Sequence, residues 1–71
     1  MIGQRVKIKS PHRELTGLDA VFEGHIGTVI DVERGHPTMY RVRLDEPVFI
    51  DRVGMVRDDL WCREYLRKTA R

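Results

Sequence analysis

The 71-residue chain is poor in the residues that staple or functionalise small domains: one cysteine, three histidines, three prolines, one tryptophan, two tyrosines and two phenylalanines. Cys62 has no second thiol to meet, which excludes an internal disulfide and fits a reducing, cytoplasmic compartment. There is no Cys-x-x-Cys, and His12, His25 and His36 lie too far apart for zinc-finger spacing, so neither a metal nor another cofactor is expected. No apolar run approaches the roughly 20 residues of a membrane span. The basic N-terminal stretch Met1–Ser10 is not followed by an apolar segment of the kind a secretory leader needs, so no leader and no membrane partner are expected.

The usual catalytic signatures are also missing. There is no nucleophile elbow and no glycine-rich phosphate loop, and no partner can be assigned to any histidine acting as a base. Asp58 and Asp59 are adjacent, so on a strand their carboxylates would diverge. A domain this small has little room for a pocket of about 300 Å³ or more. Catalysis is therefore expected only if oligomerisation were to build a shared pocket. One domain spanning 1–71 is expected, with a marginal core, since a chain of this length buries only about 60% of its unfolded surface. With disulfide and metal excluded, self-association is the remaining means of support.

What the chain has is charge, and the charge is sorted. The net value is only +2, yet residues 1–13 hold Arg5, Lys7, Lys9 and Arg13 without an acid. Residues 14–59 hold five arginines against ten acids, and residues 60–71 hold Arg63, Arg67, Lys68 and Arg71 against Glu64 alone. Two basic ends flank an acidic middle, an asymmetry that can mark an electrostatic footprint.

Hydrophobic periodicity indicates an all-β chain. Gln4–Lys9 alternates, with Val6 and Ile8 on one face and Arg5, Lys7 and Lys9 on the other. A long loop follows, broken by Pro11 and Gly17, whose Leu15, Leu18 and Val21 are expected to close one end of the fold. His25–Glu33 is a second strand, with Ile26, Thr28, Ile30 and Val32 on one face and Gly27, Val29, Asp31 and Glu33 on the other. A short loop in which Gly35 can take a positive φ joins it to a third strand over Met39–Asp45, giving an antiparallel hairpin. Glu46-Pro47 is expected to end that strand and Val48–Asp51 to begin a fourth, with Gly54 marking a bulged or turning segment after it. Residues 58–68 fit two readings. One is a helical turn capped by Asp58 or Asp59, with Trp61/Tyr65 and Cys62/Leu66 four apart; the other is a single turn followed by a last strand near Glu64–Lys68.

Five short strands, a long loop after the first and a turn before the last give the layout of an SH3-like barrel. Within it, Gly24–Asp45, reading GHIGTVIDVERGHPTMYRVRLD, resembles a KOW-type segment through Gly24, Gly27 and Val29 and the hairpin after them. The resemblance implies a barrel half of the kind found in ribosomal and transcription-associated proteins, and hence an RNA or DNA partner. RNA-binding KOW segments tend to carry lysines around the first glycine, where this chain has Phe22 and Glu23.

Two functions follow as expectations. In an SH3-like barrel the first and last strands lie side by side, which would gather Arg5, Lys7, Lys9, Arg63, Arg67 and Lys68 into one phosphate-binding surface, with Tyr65 available to stack on a base. The chain would then be a non-catalytic module that contacts nucleic-acid backbone. The alternative is a protein-interaction or assembly module, which could be a homo-oligomer. Neighbours on a strand face opposite ways, so either Phe49 or the pair Val48 and Ile50 must point outward. An outward Phe49 beside Met55 would form an apolar partner surface at the fourth-strand edge.

Overall fold

The computed structural model describes residues 1–9 and 17–69. Five antiparallel strands form one sheet: β1 (Arg5–Ile8), β2 (Ile26–Glu33), β3 (Met39–Ile50), β4 (Gly54–Cys62) and β5 (Leu66–Lys68). Their spatial order is β4-β3-β2-β1-β5, a meander whose last strand returns to the free side of the first. This is an all-β, small β-barrel-like fold. Two 3₁₀ turns complete it, Gly17–Phe22 before β2 and Arg63–Tyr65 before β5.

The sheet curls around a single core of Val6, Ile8, Phe22, Val29, Val42, Leu44, Val48, Ile50, Trp61 and Leu66. Curling is unavoidable for β3. Its twelve residues would run about 40 Å if straight, whereas the molecule measures only 30 × 26 × 24 Å. The bend lies where the β3–β4 register jumps from Arg43↔Asp58 to Val48↔Val56, so that Leu44–Pro47 face a single residue, Arg57. Pro47 has no N–H to give a ladder, and in this bulge none is required. The sequence expectation is thus corrected: Pro47 sits in a bend within one continuous strand, and Val48–Ile50 belong to β3 rather than to a fourth strand.

A second bulge corrects the reading of β2. Val29 pairs with Val42 and Asp31 with Arg41, leaving Ile30 as the extra residue. Simple alternation would place Val29 and Val32 on opposite faces. The bulge instead sets Val32 across from Tyr40, which packs on the core, while Ile30 is exposed. The inward face of β2 is carried by Gly27 and Val29, and Ile26 points out.

Gly24 and Gly27 have separable roles. Gly24 takes φ +87°, donates its N–H to the Ile8 carbonyl at 2.7 Å, and turns the chain into β2. A Cβ on Gly27 would collide with the Arg43 carbonyl and stand 2.7 Å from Val42 Cγ1, so β3 packs directly against bare backbone. Among the described residues the positive-φ glycines are Gly3, Gly24 and Gly54; Gly35, which can take a positive φ, does not.

The 3₁₀ turn Gly17–Phe22 delivers Phe22 edge-on to Trp61, ring centroids 5.6 Å apart, while Val21 stays largely exposed. The side chains of Leu15 and Leu18 lie outside the described residues. At the C-terminal end, Asp58 and Asp59 are strand residues and cap nothing. The turn Arg63–Tyr65 followed by β5 is the second of the two sequence readings.

Candidate nucleic-acid interface

The β1–β5 pairing sets Lys7 directly across from Arg67, with Val6 opposite Lys68 and Ile8 opposite Leu66. Backbone bonds extend this ladder at both ends: Lys9 N–H donates to the Tyr65 carbonyl at 2.8 Å and Thr69 N–H to the Arg5 carbonyl at 3.1 Å. Burial of Val6, Ile8 and Leu66 fixes which way the strands face, so Lys7 and Arg67 are held outward by the core beneath them. Lys9, Arg63, Arg67 and Lys68 are exposed and Lys7 is half-buried. Among the described residues none of these five side chains lies within ion-pair distance of a carboxylate. The Arg67 guanidinium donates to the Glu64 carbonyl at 2.9 Å, which leaves further N–H groups directed outward.

The remaining β-sheet arginines on that face are handled differently. Arg5 forms a two-pronged pair with the Asp45 carboxylate and also donates to Thr28 Oγ1 at 3.1 Å, tying β1 to β3 across β2. This donation holds the Asp45 carboxyl below its usual range and raises the Arg5 guanidinium. Arg41 bridges Asp58 at 2.8 Å and Glu33 at 3.2 Å, and Arg43 approaches Asp58 at 3.9 Å. The outward face therefore carries the paired Arg5, Arg41 and Arg43 over β1–β3 and the cations Lys7, Lys9 and Arg67 at its β1–β5 end, while Lys68, across from Val6, is exposed at the edge on the other side of β5.

Two residues expected at the basic surface have other commitments. Arg5 belongs to the Asp45 pair, which makes it a positioning group for β1. Tyr65 is half-buried with its ring 5.8 Å from Trp61, so its face packs on the core instead of standing clear for a base. Sequence reasoning did not find Ile26, which lies across from Lys7 and continues the row Arg67, Lys7, Ile26 over three strands. Its 37% exposure places an apolar edge beside the cations. Alternation along β2 placed it on one face with Thr28, Ile30 and Val32 without saying which face is outward, and only the pairing decides that.

Phe49 and Met55, the expected partner surface, are cross-strand neighbours at the β3–β4 turn, 67% and 56% exposed, with Val53 beside them at 64%. Val48 and Ile50 take the inward positions. A shallow depression of about 240 Å³ is lined by Gly24, His25, Ile26, Asp45 and Glu46. Its two carboxylates oppose phosphate, and its volume falls below the roughly 300 Å³ of a small-molecule site. No three His, Cys, Asp or Glu side chains converge as a metal site among the described residues. No described helix is long and apolar enough to cross a membrane.

Fold and surface together define a small all-β barrel domain with a segregated cationic edge. Comparison with family models, with curated proteins and with solved structures found no match for the chain.

Proposed function

We propose that this protein is a non-catalytic module that binds nucleic-acid backbone through Lys7, Lys9, Arg63, Arg67 and Lys68. The observation that carries the reading is the Lys7–Arg67 pair. Like charges directly opposite on adjacent strands cost stability, yet here they stand together with no carboxylate within ion-pair distance among the described residues, while Arg5, Arg41 and Arg43 are all paired. A row of phosphates would relieve that repulsion and release counterions. The KOW-like glycines Gly24 and Gly27 add support, since they set β2 and so the placement of β1 upon it.

With no exposed aromatic among these cations, recognition rests on phosphate and is indifferent to sequence. The test is fluorescence anisotropy with labelled duplex DNA, single-stranded DNA and RNA. If all five cations contact phosphate, duplex affinity should fall several hundredfold between about 50 and about 200 mM salt. Lys7→Glu and Arg67→Glu should each weaken binding and lower the salt slope by about one contact or more. Arg34→Glu, in the β2–β3 turn, should leave binding intact. Absence of binding at the lower salt would defeat the proposal.

A further inference from the structure

We infer that the depression beside Lys7 holds one unpaired guanine of a nucleic-acid strand, its edge read by Glu46. The inference rests on the proposed phosphate contacts and goes beyond them. The five cations hold phosphate whatever the sequence, and the depression is where one base is told from another.

One row across the sheet carries the polarity of a nucleotide. Arg67 and Lys7 stand opposite each other at its cationic end, and Ile26 stands opposite Lys7 on the next strand. Ile26 also lines the depression, together with Gly24, His25, Asp45 and Glu46. From β5 towards β3 the surface thus offers cation, cation, apolar side chain and carboxylate. A nucleotide offers a phosphate, a sugar, and a base whose apolar face ends in polar edge groups. Neighbouring strands are about 4.8 Å apart, so a phosphate on Lys7 leaves its own base within reach of Ile26. The carboxylates repel phosphate, which excludes the reverse orientation.

The size fits a base. A cavity of about 150 Å³ accepts a benzene ring, and the depression, at about 240 Å³, has room for a two-ring purine.

The two carboxylates differ in what they can do. Asp45 is occupied by the two-pronged bond from Arg5. Glu46 is exposed and has no ion pair among the described residues. An ionised carboxylate only accepts hydrogen bonds, so it selects a base by its donors. Guanine has two adjacent donors, N1–H and the exocyclic N2 amine, which match the two carboxylate oxygens. Adenine and cytosine present one amine beside a ring nitrogen that itself accepts. Thymine and uracil flank a single N–H with carbonyls that the carboxylate repels. The His25 imidazole has an N–H for the neighbouring O6 of guanine. Base pairing occupies these groups, so the guanine must be unpaired.

The test is fluorescence anisotropy at low salt with short labelled oligothymidylates, with and without one central guanine. The wild type should bind the guanine strand about tenfold more tightly, the discrimination a two-pronged base contact gives. Deoxyinosine in that position keeps N1–H and O6 but lacks the amine, and should fall back towards thymine. A guanine paired within a duplex should bind no better than an all-A·T duplex. Glu46→Ala should abolish the preference while holding plain oligothymidylate as tightly or more so, because an anion beside the phosphate row is removed. Lys7→Glu should instead weaken both strands together. Far-ultraviolet circular dichroism and Trp61 emission report whether each variant is folded. The set is run in DNA and in RNA, with uracil for thymine, and a preference in either polymer meets the expectation. Equal affinity for the two strands overturns the inference and leaves the phosphate contacts standing. Binding to neither removes the reading beneath it, and the inference with it. A preference that survives in folded Glu46→Ala overturns it too, as does inosine bound as tightly as guanine.

Discussion

Gly27 and Arg52 show how single positions govern this fold in opposite senses. At Gly27 the obstacle to a side chain is backbone, the Arg43 carbonyl, which cannot move without breaking the β2–β3 ladder. Gly27→Ala should destabilise by about 1–3 kcal/mol, the usual cost of overpacking, read as a lower urea midpoint in Trp61 fluorescence. Arg52 sits in the β3–β4 turn at φ 68°, a conformation that costs a side chain about 1–2 kcal/mol. Arg52→Gly should therefore raise the melting temperature, less the entropy glycine adds to the unfolded chain. Gly27 was legible in the sequence because a glycine inside an alternating strand signals close approach. Arg52 was not, since its φ is imposed by the register of Ile50↔Gly54 around it.

At the scale of elements, the Arg5–Asp45 pair joins β1 to β3 over the intervening strand. Asp45 is held below its ordinary value near 3.8 by hydrogen bonding from Arg5. A carboxyl depressed on folding contributes stability that is present above its unfolded value and is lost as pH falls through the folded one. The wild type should accordingly lose stability on acidification from about pH 4 downward. Asp45→Asn should begin less stable at neutral pH and show a shallower acid limb in pH-dependent urea titrations. Both partners are substantially exposed, so added salt should shrink the difference. The β1–β2–β3 order was legible from alternation and turn residues. The two bulges were not, because Ile30 and Leu44–Pro47 are displaced by the need to bend the sheet, a demand made by the whole barrel.

For the whole molecule, stability is limited by the number of buried side chains. At roughly 0.05–0.15 kcal/mol per residue, a 71-residue domain has about 4–10 kcal/mol in total. Ile8 is fully buried beneath β1 and pairs with Leu66 of β5. Ile8→Ala should cost about 2–5 kcal/mol, enough to leave a substantial unfolded fraction in thermal melts and to loosen the seam that brings Lys7 to Arg67. On the proposed function, nucleic-acid affinity should fall with it, although none of the proposed contact residues is changed. The Trp61 indole N–H is buried with no hydrogen-bond partner among the described residues.

By itself the sequence determined the all-β class, the strand layout and the sorting of charge, because these depend on residue type and on spacings of two along the chain. Only the tertiary structure decided which cations are available. Arg5 and Lys7 lie on the same face of one short strand and look equivalent in sequence. Strand register then places Arg5 within reach of Asp45, forty residues away, and Lys7 across from Arg67. Tyr65, read as a stacking group, was likewise assigned to the core by the packing of Trp61. Partners separated by most of the chain meet through pairing and bulges, and local periodicity carries no information about either.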